Sequence, residues 1–175
     1  MDDRSVVEIQ IGRPARSQVV VESRCHLGLP VVIGVPPILD DGTPFPTTHW
    51  LTCRLATLRV SRLESAGGVR ESDERIASDD AFALQFGVAM KRYEDHRDSL
   101  IPTSWEGPRP SGGIAGSRGG VKCLHAQYAD TAAGNDDNPV GAGVAAAIQP
   151  LDCFVPCVVQ DEGSWVRNVA WTEPT

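Results

Sequence analysis

The chain has 175 residues, which suits one domain whose core can fold without disulfides or a metal ion. A net charge of −7 and an isoelectric point of about 5.0 argue against nucleic-acid binding. No segment approaches the about 20 apolar residues of a membrane helix, and the acidic N-terminus lacks the features of a signal peptide. We therefore expect a cytoplasmic protein that binds neither nucleic acid nor membranes.

In chain order, the pattern first predicts a short helix or strand over residues 1–13, which Pro14 interrupts. Val-rich runs then predict strands over 18–22 and 31–35, and a proline-rich extended segment follows. A helix is expected over 51–66, where apolar residues recur at helical spacing until Gly67. A second helix is expected over 79–100, and its stripe of Phe82, Phe86, Ala89 and Tyr93 is predicted to be core.

The second half of the chain starts with a long Pro, Gly and Ser loop over 102–120, which is typical of a functional or disordered segment. Helices are predicted over 121–133 and 140–148. We therefore expect an α+β protein, in which a small sheet built from the N-terminal strands packs against three to four helices. Residues 1–150 form one domain in this prediction, and 151–175 form a tail that is an edge strand or loose.

Five cysteines are the most informative feature, because a reducing compartment favours thiols, ligands or catalysts over structural disulfides. Zn²⁺ takes Cys and His ligands, and iron–sulfur clusters take thiolates. We therefore predict a Zn²⁺ or iron–sulfur site. Its predicted ligands are Cys25, Cys53 and Cys123, with His125, Cys157 or His26 as the fourth. No C-x-x-C pair is present, and unreactive buried thiols explain the pattern equally well.

Cys123 and His125 are alternatives if their segment is helical, because two residues turn a helix by about 200° and place the side chains on opposite faces. They could share a metal only if the segment is extended. On the helical interpretation Cys123 is preferred.

A second hypothesis is a thiol-dependent enzyme with Cys123 as nucleophile and His125 or His49 as base. The glycine-rich loop before the third helix would bind a phosphate or another oxyanion at the helix N-terminus. The residues expected to do so are Arg118, Gly119, Gly120 and Lys122. A flexible linker explains the same composition, and His49 and Cys53 form another pair if a helix begins early enough.

Several motifs resemble those of the bacterial domain of unknown function 501 family. They are Arg24-Cys25 with Gly28-Leu29-Pro30, the run from Asp41 to Thr47, Trp50 to Cys53, Arg62-Leu63-Glu64, Val121 to His125 and Asp137 to Gly141. The resemblance implies a small bacterial cytoplasmic protein without an assigned activity. It also supports Cys25, Cys53 and Cys123 as candidate site residues, because all three lie in the shared motifs. The chain departs from the family pattern at His26, where a proline is usual. The resemblance does not extend to Cys153 and Cys157.

The resemblance also links the chain, by gene association, to cell division and polyphosphate metabolism. A third hypothesis follows, in which the protein is a non-catalytic interaction module. Its tail, with Trp165 and Trp171, would then contact a protein partner.

Overall fold

A computed structural model describes residues 2–174 of the chain. Its helices are α1 (Asp3–Ile11), α2 (Arg54–Ser65), α3 (Gly68–Ser78), α4 (Asp80–Ser99), α5 (Leu124–Ala132) and α6 (Pro139–Ile148). Its strands are β1 (Val20–Arg24), β2 (Pro30–Gly34), β3 (His49–Leu51), β4 (Val158–Asp161) and β5 (Ser164–Arg167). The predicted α+β class is confirmed, with 43% of residues in helices and 13% in strands.

The N-terminal strands form a three-stranded antiparallel sheet in the order β1-β2-β3. The central strand β2 is the most buried, as its unbroken run Val31-Val32-Ile33 requires. On its far side, β3 pairs Leu51 with Val32 and brings His49 opposite Gly34. This pairing fixes His49 on a buried strand at the edge of the sheet that α5 contacts.

The main hydrophobic core lies between the sheet and helices α2, α4, α5 and α6. The α4 stripe predicted as core is confirmed, because all four of its residues are buried. Asp79 caps this helix by accepting a hydrogen bond from the backbone N–H of Phe82 at 3.0 Å. Ser78, the residue before Asp79, ends the preceding helix α3.

Helix α3, strand β3 and strand β4 are elements that the sequence pattern did not predict. Gly67 adopts a left-handed φ of +98°, which ends α2 but also turns the chain directly into α3. Likewise, α2 begins at Arg54 rather than Leu51, because His49 to Leu51 pair with β2. The predicted helical pairing of His49 and Cys53 is therefore wrong.

The tail beyond Pro150 folds against the rest of the chain. Its two strands form an antiparallel hairpin that contacts α1. Trp171 is buried and stacks beneath the guanidinium of Arg54, and Trp165 packs against a small cluster around Val6. The tail thus contributes to the structure, with Trp171 buried and Trp165 half-buried. Among residues 2–174, no helix combines the length and hydropathy needed to cross a membrane.

Candidate metal centre

Three side chains from two parts of the chain converge where α2 meets the start of α5. The ligand atoms of Glu64, Cys123 and His125 all lie within 4.8 Å of one another. Within residues 2–174 this is the only group of three or more His, Cys, Asp or Glu side chains that meets this distance. One thiolate, one imidazole and one carboxylate are each established ligands of Zn²⁺.

Cys123 and His125 can converge because helix α5 begins at Leu124, three residues later than predicted. Cys123 is the residue before the helix and has extended backbone angles, φ −159° and ψ 122°. The expected separation of the two side chains by helical rotation therefore does not apply. The extended segment is the case in which the sequence allows both residues to bind the same metal.

Glu64 is held by the fold itself. Its Oε1 accepts a hydrogen bond from the backbone N–H of Leu124 at 2.6 Å, which caps the N-terminus of α5. Its Oε2 lies 3.2 Å from Nδ1 of His125. One carboxylate oxygen therefore orients the side chain, and the other faces the imidazole.

His125 is oriented through its second ring nitrogen. Nε2 lies 3.1 Å from Ser61 Oγ and 3.2 Å from the carbonyl oxygen of Thr57, and the Ser61 hydroxyl itself donates to that carbonyl. Because both neighbours can accept, Nε2 carries a proton, and Nδ1 is the nitrogen directed at Glu64. Its interaction with Cys123, aided by the charge of Glu64, raises the pKa of His125 to about 9 against the opposing effect of burial. The surroundings of Nδ1 thus favour a positive charge.

A cavity of about 560 Å³ lies beside this group, and Cys123 and His125 form part of its wall. Its remaining wall is mainly apolar, with Ile11, Trp50 and Leu58 among the residues that line it. This volume is in the range of small-molecule sites in proteins.

His49 lines the same cavity but belongs to a different hydrogen-bond network. Its Nδ1 lies 3.2 Å from Oδ1 of Asp130, which is fully buried. Burial alone would raise the pKa of Asp130, but hydrogen bonds from Arg92, His49 and Asn138 outweigh it and hold that pKa below its usual range. The network fixes the His49 ring, as in sites where a carboxylate orients an imidazole. Against its other face, the exposed His96 ring stacks at a centroid distance of 5.7 Å.

The remaining cysteines lie elsewhere. Cys25 and Cys53 line a separate depression, and Cys25 and Cys157 pack on the small cluster around Val6. Burial raises the pKa of Cys53 to about 11 and also raises the pKa of Cys157, so both thiols are protonated at neutral pH. His26 is exposed, and its Nε2 lies 3.0 Å from the carbonyl oxygen of Cys153. No three of these residues meet the 4.8 Å distance within the described chain.

The predicted anion site in the glycine-rich segment lies next to two carboxylates of the protein, those of Asp73 and Glu64. The backbone N–H of Val121 donates to Asp73 at 2.7 Å, and the first N–H of α5 is bonded to Glu64. Arg118 donates to Ser111 at 3.3 Å, while Gly119 and Lys122 are exposed. A carbon added at Gly120 would meet Asp73. Two backbone N–H groups of the segment expected to hold an external anion, those of Val121 and Leu124, are therefore bonded to carboxylates of the protein itself.

A family model for a protein of unknown function (DUF501) matches residues 21–146 of the 175. This chain belongs to the DUF501 family. No curated protein and no solved structure matches the chain. The DUF501 segment contains the whole Glu64, Cys123 and His125 group, whereas Cys153 and Cys157 lie outside it.

Glu64 is the member of the group that sequence reasoning missed as a ligand. It lies about sixty positions before Leu124, so no local spacing connects the two parts of the site. The available signal was the resemblance, since Arg62-Leu63-Glu64 was one of its motifs. Asp130 was missed for another reason, because a single acidic residue in a predicted helix is usually solvent-exposed.

Proposed function

We propose that the protein binds one Zn²⁺ ion through Glu64, Cys123 and His125, with the fourth coordination position facing the adjacent cavity. The convergence of these three ligand atoms within 4.8 Å carries the proposal. Tetrahedral Zn²⁺ with bonds of about 2.0–2.3 Å requires only slightly closer ligands. Three protein ligands with one open position is the arrangement of catalytic rather than structural zinc.

The chemistry of the ligands selects the metal. Mg²⁺ and Ca²⁺ prefer sites made only of oxygen atoms, and iron–sulfur clusters are commonly held by four thiolates. This group offers one oxygen, one nitrogen and one sulfur, which suits Zn²⁺ best. The iron–sulfur alternative would have to use the other cysteines.

The surroundings of the ligands support the same proposal. Metal-binding histidines usually donate their second N–H to a carbonyl or carboxylate, as Nε2 of His125 does toward Thr57. The capping bond from Leu124 holds Glu64 in the same way. Cys123 and Glu64 favour a proton on Nδ1 of His125. The same neighbours favour a metal ion at that position, because a proton and a metal ion are both positively charged.

A thiol-dependent enzyme is the second candidate, and the raised pKa of His125 favours it. In that case Cys123 would be the nucleophile, paired with a protonated His125 that Glu64 stabilises. The two candidates use the same three residues but differ in what occupies the space between them, which is a metal ion or a proton.

Metal content of the full-length protein distinguishes them. After dialysis against metal-free buffer, we expect about one Zn²⁺ per chain in the wild type and a loss in Cys123→Ser and His125→Gln. Glu64→Gln keeps an oxygen for the Leu124 N–H, so it tests the loss of charge without removing the helix cap. Cys53→Ser is the matched control and should retain the metal. A metal-free wild type, or equal loss from Cys53→Ser, would contradict the proposal.

A further inference from the structure

Two arginines line the cavity beside the proposed Zn²⁺ site without a carboxylate partner. Arg13 lies over the ring of Trp50 at 5.4 Å, and Arg54 lies over the ring of Trp171 at 4.3 Å. In the part of the chain that the structure describes, neither guanidinium has a carboxylate oxygen within 4.0 Å. Nearby surface arginines differ in this respect, since Arg16 forms an ion pair with Asp41 at 2.8 Å.

The arginine positions suit an anionic ligand rather than a structural role. Among residues 2–174, the one hydrogen bond of the Arg13 guanidinium is a long contact of 3.5 Å with the carbonyl oxygen of the adjacent Pro14. The guanidinium groups therefore keep most of their donors for a ligand, and their planar geometry matches phosphate or carboxylate oxygens. Stacking on tryptophan holds each group in place without using those donors.

The charges that surround the cavity indicate which class of ligand it would bind. Zn²⁺ bound by the two anionic ligands Glu64 and Cys123 has no net charge, so Arg13 and Arg54 leave the cavity with two positive charges. A dianion would neutralise them. The wall beside these charges is apolar, with Trp50, Leu58 and Ile11 available to an uncharged body.

We infer that the cavity binds a phosphate monoester with an aromatic or aliphatic body. Arg13 and Arg54 bind the phosphate, which lies next to the open position of the metal, and the apolar wall contacts the body. This inference rests on the proposed Zn²⁺ site for its charge balance. The Arg-dependent part of the binding is independent of the metal and can be tested separately.

Isothermal titration of the full-length, Zn²⁺-treated protein with phenyl phosphate provides the test. We expect binding that weakens about tenfold or more in Arg13→Gln and in Arg54→Gln, because each substitution removes a charged hydrogen bond. Phenol, which lacks the charge, and inorganic phosphate, which lacks the body, should each bind more weakly than phenyl phosphate. Arg70→Gln is the matched control, since Arg70 is exposed and pairs with Glu74 outside the cavity.

Metal content and urea unfolding are measured on the same samples. Arg54→Lys is a second variant, which keeps the charge and replaces Arg54→Gln in the test if that variant is unstable. Its affinity for phenyl phosphate should lie between those of Arg54→Gln and the wild type. Zn²⁺ at the proposed site together with no phenyl phosphate binding, or equal affinities in the Arg13, Arg54 and Arg70 variants, would overturn this inference alone. Arginine-dependent binding by a protein that holds no metal would support the arginine-dependent part of the inference and would overturn the Zn²⁺ proposal.

Discussion

Asp130 and Asp137 offer a direct measurement of what burial does to an ion pair, because both bind Arg92. The guanidinium donates to Asp130 at 2.9 and 2.7 Å and to Asp137 at 3.1 and 2.8 Å. The side chain of Asp130 is 0% exposed, and that of Asp137 is 43% exposed. The two carboxylates thus differ in their contact with water and in the further hydrogen bonds that Asp130 makes with His49 and Asn138.

The expected costs differ accordingly. Asp130→Ala removes one partner of a buried pair and should lower the free energy of unfolding by about 3–5 kcal/mol. It also takes one acceptor from Asn138 and the partner of His49 Nδ1. Asp137→Ala removes an exposed partner and should cost about 0–1 kcal/mol. A typical domain has only about 5–15 kcal/mol in total, so the first loss would be a large part of it.

Urea unfolding followed by tryptophan fluorescence and circular dichroism measures both values. We expect a much lower midpoint for Asp130→Ala, a nearly unchanged midpoint for Asp137→Ala, and similar slopes. Asp130→Asn keeps the shape and removes the charge, so it should lie between them. Similar midpoints for the two alanine variants would refute the importance of burial in this network.

The pKa of Asp130 gives the same comparison a pH dependence. Its pKa is held below its usual range in the folded state, so on acidification the unfolded chain takes up the proton first. The stabilisation from its charge is therefore complete above about pH 4, the ordinary Asp pKa, and is lost as the pH falls through the lower folded value. The stability difference between wild type and Asp130→Asn should shrink on acidification, and a difference that grows would contradict the assignment.

Two further predictions concern packing and thiol reactivity. A methyl group at Gly141 would overlap Thr131 and the carbonyl oxygen of Gln127, whereas Gly143 of the same helix faces open space. Gly141→Ala should therefore lower the free energy of unfolding by about 1–3 kcal/mol, and with it the urea midpoint. Gly143→Ala should raise the free energy of unfolding by up to about 1 kcal/mol. Shifts of the same sign would be evidence against this packing. Cys53, with its pKa of about 11, should resist iodoacetamide at pH 8 in the native protein, as peptide mass spectrometry would show, and labelling as fast as in urea would contradict its burial.

Local patterns predicted the elements whose residues face one consistent environment. The α4 stripe, the Val runs of β1 and β2 and the short α6 all follow from spacing and composition. Prediction failed where tertiary contacts decided the outcome. The segment at His49 reads as the approach to a helix, but pairing with β2 makes it a strand. Gly67-Gly68 reads as a helix end, although the left-handed Gly67 also begins α3.

The candidate site shows the same limit more clearly. Cys123 and His125 were both singled out from the sequence, but Cys123 was grouped with Cys25 and Cys53, and the helix was predicted to begin at Val121 rather than Leu124. That start is set by Glu64, whose carboxylate caps Leu124 from a distant helix. A contact across about sixty residues cannot be inferred from spacing, so neither the place of Glu64 in this group nor the observed start of the helix could be predicted.

The proposed metal ligands and part of the cavity wall lie in different parts of the chain relative to the DUF501 segment. The three proposed metal ligands all lie within residues 21–146. Arg13 precedes this segment, and Trp171, which stacks beneath Arg54, follows it. The proposed metal site is therefore built entirely from the part of the chain that defines the family, whereas residues outside that part help to shape the cavity. In this chain every proposed Zn²⁺ ligand therefore lies inside the matched segment, and Arg13, on which the proposed phosphate binding depends, lies before it.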